Sequence, residues 1–249
     1  MPRFIRIVRA GNGMELKLDE VLAEMRGFVE FSNYRIQFRD REHEVDVFLN
    51  DALRYAGLRV IYGPYGAGKS TFLRQVSKAL KAVNGVYVVY MNFEGNALSS
   101  VLTGALPSGD DVLARVRLEL GNVDTFKAGF AVAEALKLAI TYALRRYRAE
   151  KADRLLLIFD NLDKYLREAV GDKEYVALSG LLEFFAEAHE HPSEEVWGPF
   201  ANKLVNTIFA VSDQAALDLA VRLGSKGCFG FLDYLYYSFL LMPKTSHGY

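Results

Sequence analysis

The chain has 249 residues, 51% of them hydrophobic, with 30 basic residues against 31 acidic. That length fits one α/β domain with an extra piece or two small domains, and the hydrophobic share excludes wholesale disorder. A net charge near zero gives no global electrostatic footprint for nucleic acid, and the single cysteine, Cys228, excludes an internal disulfide.

Charges recur every third residue over residues 1–9, unlike a signal peptide, and no apolar run is long enough to span a membrane. The nearest is residues 234–242. The expectation is a soluble, cytoplasmic protein with no membrane partner. Residues 2–10 read as a short edge strand, and Gly11-Asn12-Gly13 as a turn. From Glu15, apolar residues at Leu18, Val21, Leu22, Met25 and Val29 follow helical spacing, and residues 31–39 are β-prone. Val45, Phe48, Leu49 and Leu53 restore helical spacing over 42–55, which Ala56-Gly57 closes.

The apolar run Leu58-Arg59-Val60-Ile61-Tyr62 predicts a strand. Directly after it comes Gly63-Pro64-Tyr65-Gly66-Ala67-Gly68-Lys69-Ser70, then Thr71 and a helical pattern to Leu80. Strand, glycine-rich loop and helix, with Lys and a hydroxyl in the last two places, form the full phosphate-loop pattern. Gly63, Gly66 and Gly68 permit backbone angles that turn successive N–H groups inward around a phosphate. The helix beginning near Lys69 adds its positive end. Lys69 is placed to reach the β- and γ-phosphates of a nucleotide, and the Ser70 hydroxyl to ligate Mg2+.

Asn84-Gly85 is a turn, and Val86-Tyr87-Val88-Val89-Tyr90-Met91 suits a buried parallel strand. Residues 95–122 are less regular, with a loop at 107–111 and a short helix over 112–120. Asp124-Thr125 can cap a long helix reaching about residue 150, with Phe126, Phe130, Ala133, Leu136, Ile140, Leu144 and Tyr147 on one face. Leu155 to Asp160 is another buried strand, ending in a carboxylate. Helical patterns cover 175–190 and 197–202. A strand over 207–211 leads into Ser212-Asp213 and a helix to Leu223, and residues 236–242 make a last strand. This alternation predicts an α/β fold with a parallel sheet covered on both faces.

A phosphate loop needs an acid to position the metal, supplied from the end of a neighbouring strand. Asp160 is the candidate. In a parallel sheet all strands deliver their C-terminal ends to one edge, so Gly63, Glu94, Asp160 and Ser212-Asp213 are expected to converge on one crevice.

Phe38-Arg39-Asp40-Arg41-Glu42-His43-Glu44, the helix after it and Val60-Ile61-Tyr62-Gly63-Pro64 resemble the opening of the archaeal ATPase family, a P-loop group within the AAA+ and STAND-like ATPases. The likeness continues at Tyr90-Met91-Asn92-Phe93-Glu94, Ile158-Phe159-Asp160 and Ser212-Asp213. The resemblance implies a P-loop three-layer α/β/α sandwich with five parallel strands, binding ATP and Mg2+ and hydrolysing the ATP. It also implies that residues 38–44 lie near the adenine and that Ser212 or Asp213 senses the γ-phosphate.

Two departures bear on the chemistry. The family has Asp-Glu where this chain has Asp160-Asn161, and an Asn orients a water but cannot accept its proton. Glu94, twenty-five positions after Lys69, resembles in placement the catalytic Glu of RecA-like ATPases; it also reads as a solvated loop acid. Asp163 is a further substitute, although a helix from Leu162 would turn it away from the strand end. The second departure is at the C-terminus: the family continues after its last strand into a helical lid and a winged helix, and the expectation is a P-loop domain over 34–249 without them, with 1–33 an accessory segment. The expected output is a conformational change acting on a homo-oligomer, a protein or DNA. Arg145-Arg146-Tyr147-Arg148 reads as a basic helix end, and His189-Glu190-His191 resembles a metal-ligand spacing at a helix end.

Overall fold

The structure, a computed structural model, describes residues 7–10, 14–17, 21, 23, 25, 28–31, 34–37, 42–125, 129–147, 152–170, 174–212, 215 and 235–237. The first strands are β1 (Ile7–Ala10), β2 (Met14–Lys17), β3 (Phe28–Phe31) and β4 (Tyr34–Gln37). They form two antiparallel hairpins. The expected helix from Glu15 is therefore corrected over Met14–Lys17. Met14, Leu16 and Leu18 also alternate, and pairing of Val8 opposite Leu16 selects that period over the helical one. Val29, expected in the same helix, lies in β3. The boundary expected between residues 33 and 34 falls inside the second hairpin.

The main sheet is wholly parallel. Its strands are β5 (Gly57–Gly63), β6 (Val86–Asn92), β7 (Arg154–Asp160), β8 (Leu204–Ser212) and a three-residue β9 (Leu235–Tyr237), in the order β6-β7-β8-β5-β9. Four are full-length and the fifth is a short edge. Every residue of β7 is buried, as a strand covered on both faces requires.

The two faces have separate cores. On one, Leu156, Ile158, Ile208 and Ala210 pack with α1 (Glu42–Ala52) and α2 (Lys69–Lys81) through Val45, Leu49, Phe72, Leu73 and Val76; Val21 and Met25 are buried there too. On the other, Leu155, Leu157, Phe159 and Phe209 meet α3 (Leu98–Ala105), α4 (Gly109–Leu120), α5 (Gly129–Arg146), α6 (Leu162–Val170) and α7 (Glu174–Glu190). This is the three-layer α/β/α arrangement. A short α8 (Glu194–Trp197) buries Trp197, whose indole donates to the Ala188 carbonyl at 2.8 Å.

Three local expectations change. Residues 98–105 are helical because Leu98, Val101 and Leu102 form a buried stripe at helical spacing. The long helix starts at Gly129, after a 3-10 turn at Val123–Thr125, and Phe130 in its first turn is 71% exposed. The 197–202 helix is instead α8 followed by a 3-10 turn, Gly198–Phe200. The predicted strand over 236–242 is described only at Leu235–Tyr237, and Phe38 to Arg41, Phe126, Arg148, Asp213 and Cys228 lie outside the described residues.

Candidate functional site

The register of the sheet decides what meets at its C-terminal edge. Asp160 stands level with Asn92 of β6 and Ala210 of β8, and Gly63 stands level with Ser212. The strand β8 lies between the loop-bearing strand and the acid-bearing strand.

The loop from Gly63 turns into α2 through two left-handed glycines, Gly66 at φ 83° and Gly68 at φ 84°. Residues with a β-carbon rarely adopt that geometry. Gly68 is the N-cap and brings no side chain to the first turn, which carries no acidic residue. No side chain caps the positive end of α2. Lys69 Nζ donates to the Gly63 and Pro64 carbonyls at 2.6 and 3.1 Å, which holds the ammonium over the loop. Ala67 is buried, Thr71 half-buried, and Tyr65 at the loop's tip is 90% exposed.

Ser70 Oγ donates to Asp160 Oδ1 at 2.9 Å, and the Tyr90 hydroxyl donates to Asp160 Oδ2 at 2.5 Å. Asp160 is 1% exposed. Burial pushes its carboxyl above the usual carboxylate range, while the hydrogen bonds from Tyr90 and Ser70 and the charge of Arg74 oppose that shift. The Tyr90 hydroxyl is pushed up as well, by burial and then by the Asp160 charge, so at neutral pH it is a hydrogen donor.

Asn161 follows in the left-handed region, φ 61°, where Asn is among the better tolerated residues. Its Nδ2 donates to Ser70 Oγ at 3.3 Å and to Asn92 Oδ1 at 3.2 Å. Asn92 Oδ1 also receives the Glu94 backbone N–H at 3.1 Å, so one amide ties the end of β6 to the end of β7. The Glu94 carboxylate is half-exposed, 3.9 Å from Lys164 Nζ, and near enough for its charge to act on Asp160. Asp163 is buried and accepts the Ser212 N–H at 2.9 Å. It spans from the start of α6 to the end of β8.

Sequence reasoning singled out neither Tyr90 nor Asn92 for a role. The available signal was their alternation: residues 90 and 92 share a face of β6, two polar tips at the end of an otherwise apolar strand. The other motifs sit elsewhere. Arg145 bonds the Glu195 carbonyl at 2.6 Å, and Tyr147 stacks on Tyr87 near the opposite edge of the sheet. His189 meets the Thr207 hydroxyl at 3.1 Å and lies beside Trp197. Among the described residues no three His, Cys, Asp or Glu side chains cluster as a metal site.

A phosphate loop, a buried acid one strand removed in the same parallel sheet and helices on both faces are the architecture of a nucleotide-binding ATPase. The family model described as "ATPase domain predominantly from Archaea" matches residues 38–195, more than half of the chain. The chain belongs to that family. No curated protein matches it. Among solved structures it is similar to the Aeropyrum pernix ORC2 protein in its ADP form, at 18% identity and TM-score 0.44, over 83% of this chain and 50% of that one. It is also similar to a chain in a structure of Drosophila ORC bound to DNA, at 18% identity and TM-score 0.37, over 70% of this chain and 38% of that one. The chain thus spans half or less of the length of either. Among the described residues no helix is long and apolar enough to cross a membrane.

Proposed function

We propose that the crevice binds ATP with Mg2+ and hydrolyses it to ADP and phosphate, and that the cycle drives a conformational change. The observation that carries this reading is the Ser70–Asp160 pair: a hydroxyl and a buried carboxylate 2.9 Å apart, beside an uncapped helix start. The donors there are oxygens, the ligand class Mg2+ prefers, which fits the metal the family implies. Ser70 and Asp160 would hold it. When bound, Mg2+ neutralises charge on the phosphates.

Gly63 to Thr71 supply amide donors for the phosphates, and Lys69 places its charge beside the β- and γ-phosphates. A water oxygen forms the new bond to the γ-phosphorus as the bond to the bridging β–γ oxygen breaks. Asn161 is a water-orienting group, and its amide accepts no proton. Glu94 is therefore the preferred base, supported by its position at the end of β6 and its half-exposed carboxylate. Asp213 would sense the γ-phosphate, because it directly follows Ser212, which stands level with Gly63.

Phosphate release from Mg-ATP by wild type, Lys69→Ala and Glu94→Gln tests the reading. Wild type is expected to turn over, Lys69→Ala to lose nucleotide binding, and Glu94→Gln to bind nucleotide while losing at least 100-fold in rate, the low end of general-base catalysis at about 10²–10⁴-fold. Turnover retained by Lys69→Ala would refute it. A second reading, a nucleotide-gated switch with negligible turnover, is favoured by the Asn161 amide being engaged with Ser70 and Asn92. It predicts tight Mg-ATP binding by wild type with no phosphate release.

A further inference from the structure

Asp160 is held from both sides by hydroxyls, Ser70 on Oδ1 and Tyr90 on Oδ2. Arg74 stands one helical turn after Ser70 on α2, and its charge acts on both Tyr90 and Asp160. The Tyr90 phenol carries a single hydrogen, and it goes to Asp160 Oδ2. The same logic runs on the other side. The Asn161 amide donates to Ser70 Oγ, and the Ser70 hydrogen goes to Asp160 Oδ1.

The position of Tyr90 makes its hydroxyl separable from its ring. Tyr90 stands level with Ile158, two residues below Asp160 along the sheet. Its ring packs on the face shared with α2, where a phenylalanine would pack as well. Only the phenol oxygen reaches up to the carboxylate, and it does so at the short distance of a charge-assisted bond.

We infer that Tyr90 is a positioning residue for the metal-binding carboxylate: its hydroxyl fixes Asp160 Oδ2 and so sets which edge of the carboxylate faces the Ser70 hydroxyl and the metal. This rests on the Mg-ATP reading of the crevice. Partners that orient a metal-binding carboxylate typically govern metal affinity by about 10- to 100-fold. The hydrogen bond of the Tyr90 hydroxyl goes to Asp160 and not to the phosphate loop, so on this inference nucleotide binding without metal is independent of it.

The test is Tyr90→Phe, with a fluorescent ADP analogue titrated first in EDTA and then against Mg2+, and with Mn2+ binding read by electron paramagnetic resonance. The expected result is metal-free nucleotide affinity within about twofold of wild type, with the Mg2+ midpoint and the Mn2+ dissociation constant raised about tenfold. Arg74→Gln, at an exposed position that leaves the core intact, should shift both in the same direction by less. Unchanged metal midpoints in Tyr90→Phe would overturn the inference, as would an equal loss of affinity with and without metal. If wild type binds no nucleotide, the reading of the crevice and this inference fall together. If wild type shows metal-dependent binding and Tyr90→Phe titrates identically, only the inference falls.

Discussion

Replacing Asn161 by Glu would restore the acid that the family carries beside its metal-positioning Asp, and the structure predicts that the replacement is costly. Asn161 Nδ2 makes two hydrogen bonds, to Ser70 Oγ and Asn92 Oδ1, each contributing about 1 kcal/mol. Its backbone sits at φ 61°, where a side chain without the local tolerance of Asn adds about 1 kcal/mol. Together these give a loss of about 3 kcal/mol, or about 6–12 °C in Tm for a chain of this size. Asn161→Gly separates the contributions, because it accepts the backbone angle but drops both bonds; it should lose less than Asn161→Glu. The assay is thermal unfolding of the three proteins without nucleotide. A Tm for Asn161→Glu within 1–2 °C of wild type, under about 1 kcal/mol, would refute both the bonding and the backbone argument.

Asp163 is predicted to act as a tie. Asp163→Ala strands the Ser212 N–H and should cost about 2 kcal/mol, whereas Asp163→Asn keeps an acceptor oxygen and should cost less than half of that, both read by denaturant unfolding. Loss of phosphate release in Asp163→Asn at unchanged stability would instead make it the base. His189 predicts a pH dependence. Burial foremost, then the charge of Arg59, lowers its pKa from 6.5 to about 4. Above 6.5 it is neutral in both states. As the pH falls from 6.5 towards 4 the unfolded chain gains a proton that the folded chain refuses, so stability is lost by up to about 3 kcal/mol. His189→Gln should remove that component, so the stability difference between wild type and variant must change across this window; parallel curves would refute the assignment.

The parts legible in the sequence were those specified locally. The phosphate loop is a contiguous motif, and its strand before and helix after are visible in the same stretch, residues 57–81. The apolar run from Leu155 to Phe159 forces a strand buried on both faces, which carries Asp160 to the sheet edge. Where two periods coexist, local reading fails. Met14, Leu16 and Leu18 alternate, while Leu18, Val21, Leu22 and Met25 follow the helix, and only the pairing with β1 decides where one gives way to the other. Phe130 belongs by spacing to the buried face of α5, yet stands in the first turn, beyond what the neighbouring helices cover. By pattern Tyr90 is one more residue of the apolar run of a buried strand. Its hydroxyl acquires a role only when Asp160, seventy residues away, is brought beside it.

That last point applies to the sheet as a whole. When a strand is buried on both faces its hydrophobic pattern says little about register, since a slip of one residue exchanges one apolar face for another. β7 is such a strand. What differs between registers is the fate of Asp160. In the observed one, Asp160 points to the face of Leu156 and Ile158, towards α2, where Ser70 and Tyr90 receive it. Slipped by one residue, the carboxylate would turn to the face of the aromatic core around Phe159, Phe185 and Phe209, away from Ser70 and Tyr90. An unpaired buried carboxylate costs several kcal/mol, more than a residue-for-residue exchange of apolar contacts returns. The Ser70–Asp160 and Tyr90–Asp160 bonds, with the Asn161–Asn92 bond beside them, therefore select the register of β7 against β6 as well as shaping the proposed metal site. Removing the Asp160 charge should cost the fold some of its specificity along with the chemistry.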